Sequence, residues 1–117
     1  MANEVRIGIV FSYAKNGAQI NRTEHYEADV AGDSFTHETQ EIGTSDEALV
    51  YPANFTNYTG LVFVKNLHAS YYIEIGLTSS YTIKLLAGES NIISAAGALF
   101  AKATGGSANL EYCLIEL

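Results

Sequence analysis

Apolar and polar residues alternate with a period of two through most of the chain, which predicts strands rather than helices. The clearest stretch is residues 60–86, where three runs rich in β-branched and aromatic residues are separated by short polar breaks. In the first run Leu61 and Phe63 fall on one face, and Val62 and Val64 fall on the other. We therefore expect this strand to be buried on both sides, and the three runs to form an antiparallel meander.

The N-terminal part of the chain predicts a hairpin. Residues 5–13 alternate as a half-buried strand, and the Asn16-Gly17 pair that follows is the strongest short signal for a two-residue hairpin turn. Residues 19–31 then return as a second strand, whose apolar face also carries charged side chains. We expect this returning strand to lie at a sheet edge or to be half exposed.

Short strands are also expected in the rest of the chain, where turn residues recur at a spacing near ten residues. The predicted ranges are 35–42, 48–51, 91–94, 99–103 and 110–117, with a loop rich in Asn and aromatic residues at 52–59. Nine or ten such strands without a long helical pattern predict an all-β antiparallel sandwich or barrel. The length of 117 residues is that of one domain, so we expect a single β-sandwich domain over residues 1–117.

The charge balance argues against two classes of partner. The chain has 6 basic and 13 acidic residues, a formal net charge of −7. Nucleic acids and anionic membrane surfaces both require a basic face, so we expect neither as a partner. Glu4 and Arg6 interrupt the N-terminal apolar run, so we expect no signal peptide or membrane span, and synthesis in a cytoplasm.

An acidic segment at residues 23–47 holds eight of the thirteen acidic residues and no Lys or Arg. Three interpretations stay open: a Ca²⁺ site, an electrostatic contact with a basic protein partner, and a solvated surface, which we favour. His25, His37 and His68 lack the short spacing of zinc ligands, so we predict no metal and no cofactor.

No catalytic motif is recognisable in the sequence. It has no nucleophile elbow, no phosphate-binding loop and no Ser-His-Asp arrangement. The single cysteine, Cys113, lies in an apolar run, which is typical of a buried and inert thiol. We therefore predict that the protein is not an enzyme and name no catalytic residue.

A resemblance to a known group appears at residues 61–76, which have the sequence LVFVKNLHASYYIEIG. This segment resembles a strand pair that recurs in small virion proteins of tailed bacteriophages. Further segments that resemble the same group are EIGTSDEALVYP at 41–52, YTIKL at 81–85, LAGE at 86–89 and LFAKATGGSANLEYCLIEL at 99–117. The resemblance thus covers residues 40–117 and offers no catalytic residue to carry over.

The resemblance implies a minor capsid, decoration or cement protein with a jelly-roll-like β-sandwich. Such a protein would be made in the cytoplasm of a host bacterium and would reside in the virion. Its partners would be the major capsid protein or other virion proteins, and further copies of itself in a dimer or trimer. The alternative is a carbohydrate- or host-surface-binding module of a phage tail or fibre, and a small β-sandwich enzyme is the third hypothesis.

Five residues are the candidates for an interaction surface: Tyr112, Leu114 and Leu117 in the last predicted strand, and Phe55 and Tyr58 in the loop. Tyrosine is common at protein interfaces because it combines a large apolar ring with a polar group. The last strand is more apolar than one sheet face requires, and an uncovered apolar edge strand would aggregate. We therefore expect self-association to cover this strand.

Overall fold

The structure is a computed structural model that describes residues 4–30, 35–53, 55, 60–77 and 80–116. The described residues form ten strands and no helix: β1 (Val5–Lys15), β2 (Ala18–Ala28), β3 (Phe35–Ile42), β4 (Glu47–Ala48), β5 (Gly60–Asn66), β6 (Tyr72–Leu77), β7 (Ser80–Leu85), β8 (Ser90–Ala95), β9 (Phe100–Thr104) and β10 (Ala108–Glu116). In this part of the chain there is accordingly no helix of the length and apolarity needed to span a bilayer.

The chain divides into two compact units, Met1–Ala31 and Gly32–Leu117. The first unit is the predicted hairpin, in which β1 and β2 pair in antiparallel register from Val5 opposite Ala28 to Lys15 opposite Ala18. Its turn is formed by Asn16 at φ 53° and Gly17 at φ 84°. Because the turn that suits a two-residue hairpin needs positive φ at both central positions, the Asn-Gly pair explains where the chain reverses.

The expectation that β1 is half-buried is wrong for most of its length. Val5 and Ile7 are half-buried, but Phe11 is 53% exposed and Val10 is 80% exposed. Alternation gives this strand one apolar face, but the described residues of the first unit form a two-stranded sheet and add no second layer over that face. The returning strand β2 is exposed along nearly all its length, as the sequence predicts.

The second unit contains two four-stranded antiparallel sheets. Sheet 1 has the strand order β3-β10-β5-β8, and sheet 2 has the order β4-β9-β6-β7. The buried side chains of both sheets belong to one hydrophobic cluster, which includes Val62, Val64, Leu110 and Leu114 from sheet 1 and Ile73, Ile75, Leu85 and Ala101 from sheet 2. The prediction of an all-β antiparallel sandwich is therefore confirmed. The sandwich lies within the second unit, and a single domain over residues 1–117 stays a prediction.

The predicted meander is wrong, because the three strands of residues 60–86 belong to different sheets. β5 pairs with β10 and β8, whereas β6 pairs with β7 and β9. Only β6 and β7 form a hairpin, as expected. The short break at residues 67–71 carries the chain from one sheet to the other, where the sequence pattern indicated a tight turn within one sheet.

The sequence analysis is also wrong about β10, which it expected to be an exposed strand at the edge of a sheet. It lies inside sheet 1, between β3 and β5. Both of its backbone edges are therefore paired, and its apolar character follows from having one face on the core and the other on the outside of sheet 1. β5 is buried on both sides through Leu61, Val62 and Val64, as predicted, but Phe63 on its outer face is only half-buried.

Candidate functional site

The structure places three of the five predicted interaction residues away from the surface. Tyr112 is 0% exposed and Leu114 is 1% exposed, both in the core of the second unit. Phe55 is also buried, with its ring packed edge-on against Tyr51 at 5.5 Å between centroids. Tyr58 and Leu117 lie outside the described residues. The three described residues, Tyr112, Leu114 and Phe55, therefore do not form an interaction surface.

The hydroxyl of Tyr112 belongs to a polar network centred on Gln40. It lies 3.0 Å from Gln40 Oε1 and 3.1 Å from the carbonyl oxygen of Val50. The Gln40 amide in turn donates to Glu47 Oε2 at 3.0 Å and to the Ala48 carbonyl at 3.2 Å. Burial, with a further contribution from the nearby Glu38 carboxylate, raises the pKa of Tyr112, so its hydroxyl stays protonated and can donate. This network fastens the β4 segment to β3 and β10.

A second buried polar group, Asn66, stands where the chain crosses between the sheets. Its side chain is 0% exposed, and its amide nitrogen donates to the carbonyls of Tyr71 at 2.8 Å and Leu85 at 3.1 Å. Its Oδ1 accepts from the backbone N–H of His68 at 2.9 Å. The amide thus joins β5 of sheet 1 to β7 of sheet 2, and its hydrogen-bonding groups are used for structure.

His68 stabilises the same crossing. Its Nδ1 accepts from the backbone N–H groups of Ser70 and Tyr71, each at 2.9 Å, and its ring stacks on the Tyr71 ring at 4.2 Å. On the other side of that ring, a Cβ at Gly105 or Gly106 would come within 2.8 Å or 2.6 Å of its carbon atoms. Gly105 and Gly106 therefore make room for Tyr71, and this histidine acts as a hydrogen-bond acceptor within a turn.

Cys113 lies near a histidine and a carboxylate on the outer face of sheet 1. It is opposite His37 in the β10–β3 register, and His37 Nε2 lies 2.7 Å from Glu111 Oε2. A cysteine, a histidine and a glutamate are also the nucleophile, base and orienting acid of some active sites. The Cys113 thiol, however, is not activated as a nucleophile. Burial, and secondarily the Glu111 charge, raises the pKa of Cys113 and so disfavours the thiolate. The prediction of a buried cysteine is wrong, because Cys113 is half-buried and lies on the outer face of sheet 1.

We expect Cys113 in the native protein to react at least about tenfold more slowly with a thiol reagent at pH 7 than it does in the urea-unfolded chain. The raised pKa lowers the thiolate fraction, and half-burial limits access. Stopped-flow measurement of the two labelling rates checks this expectation. Native labelling as fast as that of the unfolded chain would instead identify Cys113 as a reactive thiol.

A partly exposed apolar area surrounds Cys113, and we call it the outer patch. Strand register places Phe35 and Ile115 in one row across sheet 1, beside the buried Leu61, and places Cys113, Phe63 and Ile92 in the next row, beside His37. Phe35 is 73% exposed. Contiguous apolar surface of this kind on a folded protein usually marks a contact with another molecule.

A second apolar surface lies on the hairpin, and we call it the hairpin face. Because residues opposite each other in an antiparallel pair point to the same side, β1–β2 register collects most of the apolar residues of the hairpin on one face. They are Val5, Ile7, Ile9, Phe11, Tyr13, Ala18, Ile20, Tyr26 and Ala28. The same face carries Lys15 and an ion pair between Arg22 and Glu24, while Val10 lies on the opposite face.

Charge is distributed unevenly along the chain. Residues 5–23 contain Arg6, Lys15 and Arg22 and no acidic residue, whereas residues 24–47 contain eight acidic residues and no Lys or Arg. The four strands of sheet 1 carry one lysine, Lys65, against four glutamates, which are Glu38, Glu41, Glu111 and Glu116. Within the described ranges, no three or more His, Cys, Asp or Glu side chains cluster closely enough to hold a metal ion.

The sequence analysis did not identify the hairpin face or the outer patch as contact surfaces. The reversal of charge between residues 23 and 24 falls within β2, so it does not mark either surface, and the available signal was the alternation of apolar residues in β1. Comparison of the chain with protein-family models, with curated proteins and with solved structures found no match.

Proposed function

We propose that this protein is a structural virion protein of a tailed phage, a decoration or cement protein that binds the capsid shell and associates with further copies of itself. The proposal has two supports, the order of the strands in the sandwich and the apolar surfaces on both units. In this proposal the protein is not an enzyme and acts through its surfaces.

The proposed fold is a jelly roll, and the order of the strands supports it. When the eight strands β3 to β10 are counted from one to eight, sheet 1 has the order 1-8-3-6 and sheet 2 the order 2-7-4-5. Strand one thus pairs with eight, two with seven, three with six and four with five. This is the order expected when one long antiparallel hairpin of four strand pairs is rolled into two sheets, the double Greek key of jelly rolls.

The jelly roll supports a virion role because viral capsid domains are among the proteins that use it, although a fold alone does not fix a function. The polar groups of the sandwich give the proposal further support. Gln40, Asn66 and His68 use their hydrogen-bonding atoms to hold strands and turns together. The polar groups named above therefore serve the fold, whereas the outer patch and the hairpin face are apolar surfaces that suit contacts with proteins.

The test is co-sedimentation of the purified protein with phage shells, using capsids of the phage that encodes the chain. We expect saturable binding to mature capsids, at a fixed ratio to capsid subunits, and no binding to unexpanded precursor shells. A cement protein binds many equivalent sites, so saturation separates it from adventitious adsorption. Lack of binding to both kinds of shell would contradict the proposal.

Lectins also use jelly rolls, which keeps a carbohydrate- or host-surface-binding module of a tail or fibre as the second candidate. A glycan array and a binding assay on host cells distinguish the two. Selective binding to a glycan or to host cells, together with no binding to capsids, would favour this second role.

A further inference from the structure

We propose that the hairpin β1–β2 of one copy docks through the hairpin face onto the outer patch of a second copy. The inference deepens the self-association part of the proposed function, but it does not need the virion assignment. In this contact the two copies use different surfaces, the hairpin face of one copy and the outer patch of the other.

The hairpin itself requires such a contact. A two-stranded hairpin is at best marginally stable in water and needs a third strand or a packed layer for stability. Each strand here has 11 residues, yet Ile9, Phe11, Tyr13, Ile20 and Tyr26 remain at least 45% exposed. The first unit, described by itself, contains no layer against this face. Removal of these side chains from water would stabilise the hairpin and the contact together.

The outer patch has the matching chemistry. Its apolar rows contain Phe35 and Phe63, and the hairpin face contributes Phe11, Tyr13 and Tyr26. Aromatic side chains are enriched in protein interfaces, and charged residues are depleted from the interface centre. Both surfaces are rich in aromatic and aliphatic side chains, and the two charges that interrupt the hairpin face, Arg22 and Glu24 opposite Phe11 and Ile9, pair with each other.

Charge favours docking of the hairpin on the outer patch of the second copy rather than on the hairpin of the second copy. Register places Lys15 and the ion-paired Arg22 and Glu24 on the hairpin face, which is two positive charges against one negative, so two hairpins placed face to face would bring faces of like net charge together. The outer face of sheet 1 carries Glu41 and Glu111 against Lys65, so a hairpin docked there meets a face with one more negative than positive charge. Opposite charges at the edge of an interface favour the correct pairing and suppress the like-charged one.

A contact between two different surfaces has consequences for assembly. Two copies can exchange hairpins reciprocally, or three copies can pass them round a ring, and each route closes the assembly. Both agree with the dimer or trimer that the sequence analysis expects. In either case Cys113, which lies within the outer patch, becomes covered.

The first test compares two adjacent residues on β1 that face opposite sides, by sedimentation velocity over a concentration series. We expect the wild type to self-associate at micromolar concentration and Phe11→Ser to raise the dissociation constant at least about tenfold. Val10→Ser, the matched control on the other face, should change it less than about twofold. Because both side chains are exposed, neither change should alter the urea midpoint of the sandwich at a protein concentration well below the wild-type dissociation constant, where assembly does not add to stability, and this checks the folding of both variants.

The second test uses the other half of the contact. Phe35→Ser should weaken self-association as Phe11→Ser does, and an equimolar mixture of the two variants should form a heterodimer through the one remaining intact pair of surfaces. Cys113 labelling should be slower in the assembled wild type than in Phe11→Ser.

Three results would overturn the inference: a wild type that stays monomeric at 100 μM, a Phe11→Ser variant that assembles normally, or normal assembly of Phe35→Ser, which would indicate a hairpin-to-hairpin contact. A monomeric wild type that still binds capsids would overturn this inference alone and leave the proposed function standing. Normal self-association with no binding to capsids would contradict the proposed function and leave this inference standing.

Discussion

Replacement of Tyr112 by alanine is expected to lower the free energy of unfolding by about 4 kcal/mol, in the range found when large aromatic side chains are removed from cores. The side chain is 0% exposed and lies in the cluster that both sheets share. The change leaves a cavity between the sheets and also removes the hydroxyl that reaches Gln40 and Val50. Equilibrium urea unfolding, followed by circular dichroism, measures the loss.

Two matched variants separate the contributions. Tyr112→Phe keeps the ring and should cost only about 1–2 kcal/mol, the usual effect of leaving a buried hydrogen-bond partner unsatisfied. Tyr13→Ala removes an exposed tyrosine of the hairpin and should leave the unfolding of the sandwich unchanged. If Tyr112→Ala weakened only self-association and left stability intact, the original assignment of Tyr112 to an interaction surface would be restored.

Replacement of Asn66 by leucine is expected to cost about 3 kcal/mol, although the two side chains are similar in size. The change leaves the carbonyls of Tyr71 and Leu85 and the N–H of His68 without their partner. Each buried polar group left in this way costs about 1–3 kcal/mol, reduced where water can enter. The loss should appear as a lower urea midpoint with an unchanged slope.

The companion variant Asn66→Asp distinguishes hydrogen bonding from packing. It keeps the size of the side chain and the acceptor for His68, but the amide nitrogen that donates both bonds becomes a carboxylate oxygen that faces two carbonyl oxygens. At neutral pH it should be at least as unstable as Asn66→Leu. Asn109→Leu, at an exposed position on β10, is the control and should change stability by less than about 0.5 kcal/mol. A stable Asn66→Asp would show that the two donated bonds contribute little.

Local features of the structure were predictable from the sequence. The alternation at residues 35–42 corresponds to β3, and the Asn16-Gly17 pair identified the hairpin turn, because both signals arise from residues close together in the chain. The inner positions of β6 and β7 also follow from their period-two pattern. In each case the backbone geometry of a few neighbouring residues decides the outcome.

Strand partners and surfaces were less predictable, because distant residues decide them. The break after Asn66 looks like a turn within one sheet, and only its bonds to Tyr71 and Leu85 reveal a crossing between sheets. Alternation likewise shows that β1 has an apolar face but not what covers it. For β10, apolar residues on both faces suggested an edge in need of cover. They instead reflect a central strand with Tyr112 on the core and Cys113 on the outer patch.

The pairing of β3 with β10 has a consequence for the order in which the molecule forms. β3 is the first strand of the second unit to be synthesised, and in the described chain its ladder partner is β10, the last of the ten strands. Sheet 1 therefore stays incomplete on the ribosome until β10 has emerged, and such distant pairing is slow. The β1–β2 hairpin, closed by a two-residue turn, can form within about 1–10 μs of its synthesis. Nascent chains on one polysome thus expose the apolar side chains of β1 and β2 before any sandwich exists to cover them, so slowed translation of residues 60–116 should increase aggregation during expression.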